Sequence, residues 1–139
     1  MIRIVKVPRL MVGLVWGSAA PLLLKGAARN PNLTFEQMVT GLADGDFDLW
    51  LIFRDEKLTA AFMTQIDGDT LDVFTLSGKG SFSWGKALSR RLMRFARDEG
   101  LKRIKFAGRR SHQRVSDYEG SLRIAGEIAP GILQYEVRL

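Results

Sequence analysis

The sequence predicts one α/β domain, residues 1–139, built on a mixed and mostly antiparallel sheet. Three observations carry that prediction. First, the chain has 139 residues with 46% apolar content, enough for one proper core and too little for a second domain. Second, the runs DLWLIFRD, KLTAAFMTQID and TLDVFTLSG are separated only by short turn signals, so they should pair as antiparallel hairpins. Third, a long amphipathic helix stands between the last of these runs and RIKFAG, and a strand, helix, strand order of that length joins parallel neighbours through a right-handed crossover.

Taken in order, Ile2, Ile4, Val5 and Val7 suit a first strand that Pro8 ends, because proline supplies no donor to a ladder. A helical stretch follows in which Leu14, Trp16, Leu22, Leu23 and Ala27 mark the apolar face. Pro21 should kink or restart it, two short helices being one outcome. Asn30-Pro31-Asn32 is a breaker. Thr34 with Gln37 three residues on forms a capping box for a helix whose buried stripe is Phe35, Met38, Val39 and Leu42, and Gly45 closes it.

The three strands come next, with turns at Asp55-Glu56 and Asp67-Gly68-Asp69. Ser83 is the expected cap of the long helix, where Trp84, Ala87, Leu88, Leu92, Phe95 and Ala96 recur at spacings of three and four. Gly100 is its natural stop. After RIKFAG, the segment RRSHQRVSDYEG reads as a short last helix, and LRIAGEIAPGILQYEVRL as two strands turning at Ala129-Pro130-Gly131. Trp16, Trp50 and Trp84 have no cage spacing and read as core or interface anchors.

Charge is placed unevenly. The net charge is +6, yet the segment from Lys86 to Arg114 holds eleven basic residues against Asp98 and Glu99, +9, which leaves the remainder at −3. Such a face suits a polyanion: a nucleotide cofactor, nucleic acid or an acidic protein surface. The absence of cysteine excludes disulfides, thiolate zinc sites and cysteine nucleophiles, and the single His112 excludes a multi-histidine metal site. The run LMVGLVWGSAAPLLL behind Arg3, Lys6 and Arg9 imitates a secretory signal. It is broken by Gly13, Gly17, Ser18 and Pro21, is shorter than the ~20 residues of a membrane span, and follows a strand-like start, so a cytoplasmic protein is expected.

The order of elements, together with LSG, a Trp-headed helix ending FARDEG, IKFAGRR and a terminal hairpin, resembles the GNAT superfamily of N-acetyltransferases over nearly the whole chain. Its last third looks like a GNAT-like group common in bacteriophage genomes. Gly108, Arg109, Arg114 and Val115 match that group's pattern, and His112 stands where a tryptophan is usual. The resemblance implies helices on both faces of the sheet and a fifth strand splayed from the fourth. It also implies acetyl-coenzyme A as cofactor, with the backbone of the fourth strand near Leu76 polarising the thioester.

In such a fold the pyrophosphate accepts hydrogen bonds from backbone N–H groups at the start of the long helix, aided by the helix dipole. Gly78, Lys79, Gly80, Ser81, Phe82 and Ser83 lie at that turn, the glycines permitting close approach and Lys79 and Lys86 supplying charge. The family signature, Gln or Arg, two residues, Gly, one residue, then Gly or Ala, fits at Gly85 and Ala87 but places Phe82 at its first position, where a charged or amide side chain is usual. For proton transfer, Asp72 on the fourth strand is the candidate base, and Tyr118 corresponds to the tyrosine that relatives use as general acid.

Three functions fit these residues. One is N-acyl transfer to a small-molecule or protein amine. The second is a non-enzymatic role on the same scaffold among phage structural proteins, in the virion or its assembly. The third is nucleic-acid binding through the arginines of the long helix.

Overall fold

The computed structural model describes residues 1–27, 33–78, 81–108 and 122–139, with the backbone alone for 27, 75–78, 81–83 and 108. In chain order the elements are β1 (Ile2–Lys6), a 3-10 turn (Arg9–Met11), α1 (Val12–Ala27), α2 (Phe35–Asp44), β2 (Asp48–Arg54), β3 (Lys57–Asp67), β4 (Thr70–Gly78), α3 (Ser81–Asp98), β5 (Arg103–Gly108), β6 (Leu122–Ala129) and β7 (Ile132–Arg138). The strands form a seven-stranded mixed sheet in the order β1-β2-β3-β4-β5-β7-β6. β4 and β5 are parallel, and β1–β2, β2–β3, β5–β7 and β6–β7 are antiparallel. The short helix expected over RRSHQRVSDYEG lies outside the described residues. Among the described residues, no helix is long and apolar enough to cross a membrane. The chain divides into two compact units, Met1–Gln65 with Phe74–Lys79, and Ile66–Val73 with Gly80–Leu139.

In the first unit, β2 and β3 are buried on both faces, as their near-continuous apolar runs require. Leu49 and Leu51, in register with Met63 and Ala61, join Ala19 and Leu23 of α1 and Met38 and Leu42 of α2 in one cluster. On the opposite face Trp50 stacks on Phe62 with ring centroids 5.6 Å apart, and its Nε1–H donates to Thr64 Oγ1 at 2.9 Å, so the buried polar atoms satisfy each other. The β2–β3 turn puts Asp55 and Glu56 at φ +50° and +69°, the type I′ geometry of a two-residue hairpin.

α1 corrects two expectations. It is one helix, with Pro21 inside it. Pro21 and Gly17, whose carbonyl Pro21 cannot bond, are both exposed, so water can take that carbonyl, while Ala19 and Leu23 on the inner face hold the helix together. The apolar face is Val12, Val15, Trp16, Ala19, Leu22 and Leu23, and Leu14 points out at 79% exposed.

α2 carries the expected capping box: Gln37 N–H donates to Thr34 Oγ1 at 3.1 Å and Thr34 N–H to Gln37 Oε1 at 2.8 Å. Gly45, at φ +79°, ends it, with Asp46 N–H reaching back to the Gly41 carbonyl at 2.8 Å. Val39 is 41% exposed, which trims the predicted stripe to Phe35, Met38 and Leu42. An Arg9 Nη2–H donates to the Ala43 carbonyl at 3.1 Å, placing a cation at the negative end of α2.

In the second unit α3 lies against β5 and buries Trp84, Leu88, Leu92, Met93, Phe95 and Ala96. It begins at Ser81, so Ser83 is its third residue rather than its cap; serine is tolerated there because first-turn N–H groups have no intrahelical partner to lose. At the other end Gly100 has φ +72°, and the Gly100 and Leu101 N–H groups donate to the Arg97 and Ala96 carbonyls at 3.0 and 2.9 Å, a Schellman closure. Ile104 and Phe106 alternate with Arg103 and Lys105 along β5, and Phe106 stacks on Tyr135 of β7 at 5.0 Å.

Candidate functional site

Two features of the second unit bear on chemistry: the start of α3 and the polar face of the sheet beside Asp72. Leu76 and Gly78 lie on β4, and Ser81 and Ser83 in the first turn of α3, all described in their backbone; Lys79 and Gly80 lie outside the described residues. Gly85 is buried, Lys86 exposed and Ala87 half-buried. Trp84, almost fully buried, anchors this end of the helix, and Ser89 Oγ–H donates to the Gly85 carbonyl at 3.0 Å.

The starts of α2 and α3 differ in a way that matters for anions. α2 has its N-terminus closed by the Thr34 and Gln37 box and carries Glu36 in its first turn. α3 has no acidic residue in its first turn. An 18-residue helix presenting such an end suits a phosphate group, and Lys86 adds a cation one turn in.

Asp72 sits on β4 on the opposite side from Leu71 and Val73, half-buried. Burial pushes its carboxyl up from the usual aspartate value; the negative charge of Asp67 pushes the same way, and Lys105 opposes them. Register explains the role of Lys105. Asp72 is aligned with Lys105 of β5, Lys105 with Glu136 of β7, and Glu136 with Arg123 of β6. Charges of alternating sign thus cross four strands on one face. Glu136, largely buried, also lies 3.7 Å from Arg138 Nε.

Nearer the strand starts, the Lys102 and Arg103 N–H groups donate to the Asp69 carbonyl at 2.7 and 3.3 Å, and Arg103 Nε lies 3.9 Å from Asp69 Oδ1, which fixes the β4–β5 register. Among the described residues the parallel ladder holds four pairs, Thr70 to Val73 against Arg103 to Phe106, after which β5 continues to pair with β7.

A half-buried carboxylate with a raised pKa is a stronger base than a solvated one, and the lysine beside it keeps the ionised form accessible. Lys105 and Glu136 were not singled out from sequence. The strand, helix, strand order does place 103–108 beside 70–78, but the residue-by-residue register comes from the Asp69 hydrogen bonds, which no sequence pattern announces. Tyr118, His112 and Arg109 lie outside the described residues.

The first unit contains a separate groove of about 420 Å³, lined by Arg9, Leu10, Trp16, Val39 and Leu42 among others. Its described lining offers one cation and no carboxylate or imidazole, so it lacks the proton acceptor that a reaction centre needs.

The mixed sheet, with the parallel β4–β5 pair bridged by a long helix and the strand order β5-β7-β6 at its end, is the GNAT acetyltransferase fold. Solved structures agree along the full chain. An IAA acetyltransferase from Bacillus cereus superposes with a TM-score of 0.68 at 14% identity, covering 100% of both chains. A Bacillus subtilis acetyltransferase in complex with CoA gives 0.67 at 13% identity, covering 100% of this chain and 99% of that one. The PaiA N-acetyltransferase from Thermoplasma acidophilum, in complex with coenzyme A, gives 0.59 at 12% identity over 100% and 99%. No protein-family model matches the sequence, and no curated protein matches it.

Proposed function

We propose that the chain is an N-acyltransferase that takes its acyl group from acetyl-coenzyme A and delivers it to an amine of a small molecule or a protein. The observation that carries this reading is Asp72: a half-buried carboxylate of raised pKa, aligned with Lys105, in a fold whose solved examples include coenzyme A complexes. Acetyl-coenzyme A, when bound, supplies the acyl group as an activated thioester. The N-terminal turn of α3 and Lys86 hold its pyrophosphate. Asp72 accepts a proton from the substrate ammonium, directly or through one water, leaving a neutral amine whose lone pair forms the N–C bond as the C–S bond breaks, and the second proton the nitrogen loses replaces the one that Tyr118 gives up. Tyr118 returns a proton to the departing sulfur.

The test is release of free thiol from acetyl-coenzyme A against a panel of amino acids, polyamines and peptide N-termini. Asp72→Asn is expected to lower turnover by about a hundredfold or more, the range for a lost general base, while leaving donor binding in place. Lys105→Gln removes the charge that opposes the upward shift of Asp72, so the acid limb of the pH–rate profile moves to higher pH. An unchanged limb and an active Asp72→Asn would remove Asp72 from this role.

The phenylalanine at position 82 favours a second reading, a non-catalytic GNAT-fold protein of a phage or prophage particle, because it supplies neither charge nor donor where the signature has one. Stoichiometric presence in purified particles would support that reading, and absence from particles and assembly intermediates would end it.

A further inference from the structure

α3 carries its charge on one face. At about 100° per residue, Lys86, Arg90, Arg94 and Arg97 fall within an arc of roughly 80° and span about 16 Å of the helix axis. All four are exposed. Among the described residues, Lys86, Arg90 and Arg94 form no ion pair. Like charges four residues apart oppose helix formation, so the helix holds this row of cations against its own stability.

The chemistry of the stripe narrows what it meets. Arginine predominates, and a guanidinium presents a planar fork of donors that matches phosphate oxygens. A protein partner would need an apolar centre to desolvate, but no large hydrophobic side chain of α3 is exposed among the described residues. Single-stranded nucleic acid is held by stacking on exposed aromatic rings, and among the described residues none of the exposed large hydrophobics is aromatic. What remains is contact with the phosphates of a duplex, which needs cations and nothing else. A helix about 10–12 Å across also matches the roughly 12 Å major groove of B-form DNA, whereas the corresponding groove of duplex RNA is deep and narrow.

We infer that the exposed face of α3 binds the phosphate backbone of duplex DNA without reading its sequence. This assignment does not depend on acyl transfer, and Arg90 and Arg94 are outside the machinery assigned to it.

The test is fluorescence anisotropy of a labelled mixed-sequence DNA duplex of about 20 base pairs with the full chain, between about 50 and 200 mM salt. Each phosphate neutralised contributes about −0.9 to the slope of log affinity against log salt, so a slope near −3 is expected. Arg90→Gln with Arg94→Gln should flatten it by about 2 and weaken binding at least tenfold at the lower salt, while Arg90→Lys with Arg94→Lys keeps most of both. Thermal melting of the glutamine pair should match or exceed the parent, since it relieves like-charge repulsion. The inference is overturned by absent binding at low salt, by a glutamine pair that binds like the parent, or by poly-glutamate competing as well as unlabelled duplex, which would mark an acidic polypeptide as the partner.

Discussion

Asp72 is where sequence and structure meet most closely at the scale of a residue. A carboxylate on the fourth strand can be picked out by eye, but its environment comes from other strands: Asp67 raises its pKa along with burial, and Lys105 lowers it. The sign of the consequence is definite. Below the ordinary aspartate pKa both folded and unfolded chains hold the proton. Between that value and the raised folded value only the folded chain holds it, so the stability contributed by Asp72 falls as pH rises through that window. At neutral pH the folded chain carries a charge it disfavours. Asp72→Asn is therefore expected to raise the melting temperature at pH 7, with the gain closing as pH approaches 3. A lower melting temperature at pH 7, or a gain independent of pH, would show that the burial of Asp72 is compensated by a partner. Lys105 could not be read as that neighbour from sequence, because a parallel register depends on how the crossover helix ends, here at Gly100 with Asp69 receiving the next two N–H groups.

At the scale of elements, local signals were legible wherever a residue satisfies its own backbone. The Thr34 and Gln37 box, the αL glycines at 45 and 100 and the Asp55-Glu56 turn are all as expected. Expectations failed where tertiary packing overrode a local rule. Pro21 breaks isolated helices, yet inside α1 the buried Ala19 and Leu23 outweigh one lost hydrogen bond at a solvated position. Glycines show the same contrast. A Cβ on Gly41 would come within 2.3 Å of Phe47 Cδ2, so this glycine exists to admit the ring, which packs on Phe74 at 5.5 Å. A Cβ on Gly17 would meet nothing within 4 Å. Gly41→Ala is therefore expected to destabilise by about 1–3 kcal/mol through overpacking, while Gly17→Ala stabilises by about 0.5–1 kcal/mol through helix propensity. Denaturant melts of the two variants check this, and equal effects would mean that Phe47 moves aside without cost.

Across the whole molecule, the topology was the most legible property. Hairpin spacing sets β2–β3 and β6–β7 and the position of the long helix sets the one parallel pair, whereas the pairing of β1 with β2 across two helices, and of β5 with β7 rather than β6, comes from the structure. The division into two compact units was not legible, because it cuts β3 between Gln65 and Ile66 and β4 between Val73 and Phe74, with no Gly or Pro at either cut to mark it. The junction between β4 and α3, where the proposed cofactor turn lies, was legible from the order of elements, and the departure from the family signature at Phe82 is visible in the sequence itself. Fold and acyl transfer are joined by a single requirement: the chain must hold coenzyme A. Isothermal titration of the full chain with acetyl-coenzyme A, paired with thermal melting at millimolar donor, addresses this directly. Saturable heat with a rise in melting temperature, both reduced in Lys86→Gln, is the expected result, since a ligand that binds only the folded state stabilises it. No heat and no shift at millimolar concentration would contradict the acyltransferase account and leave the GNAT fold serving another purpose.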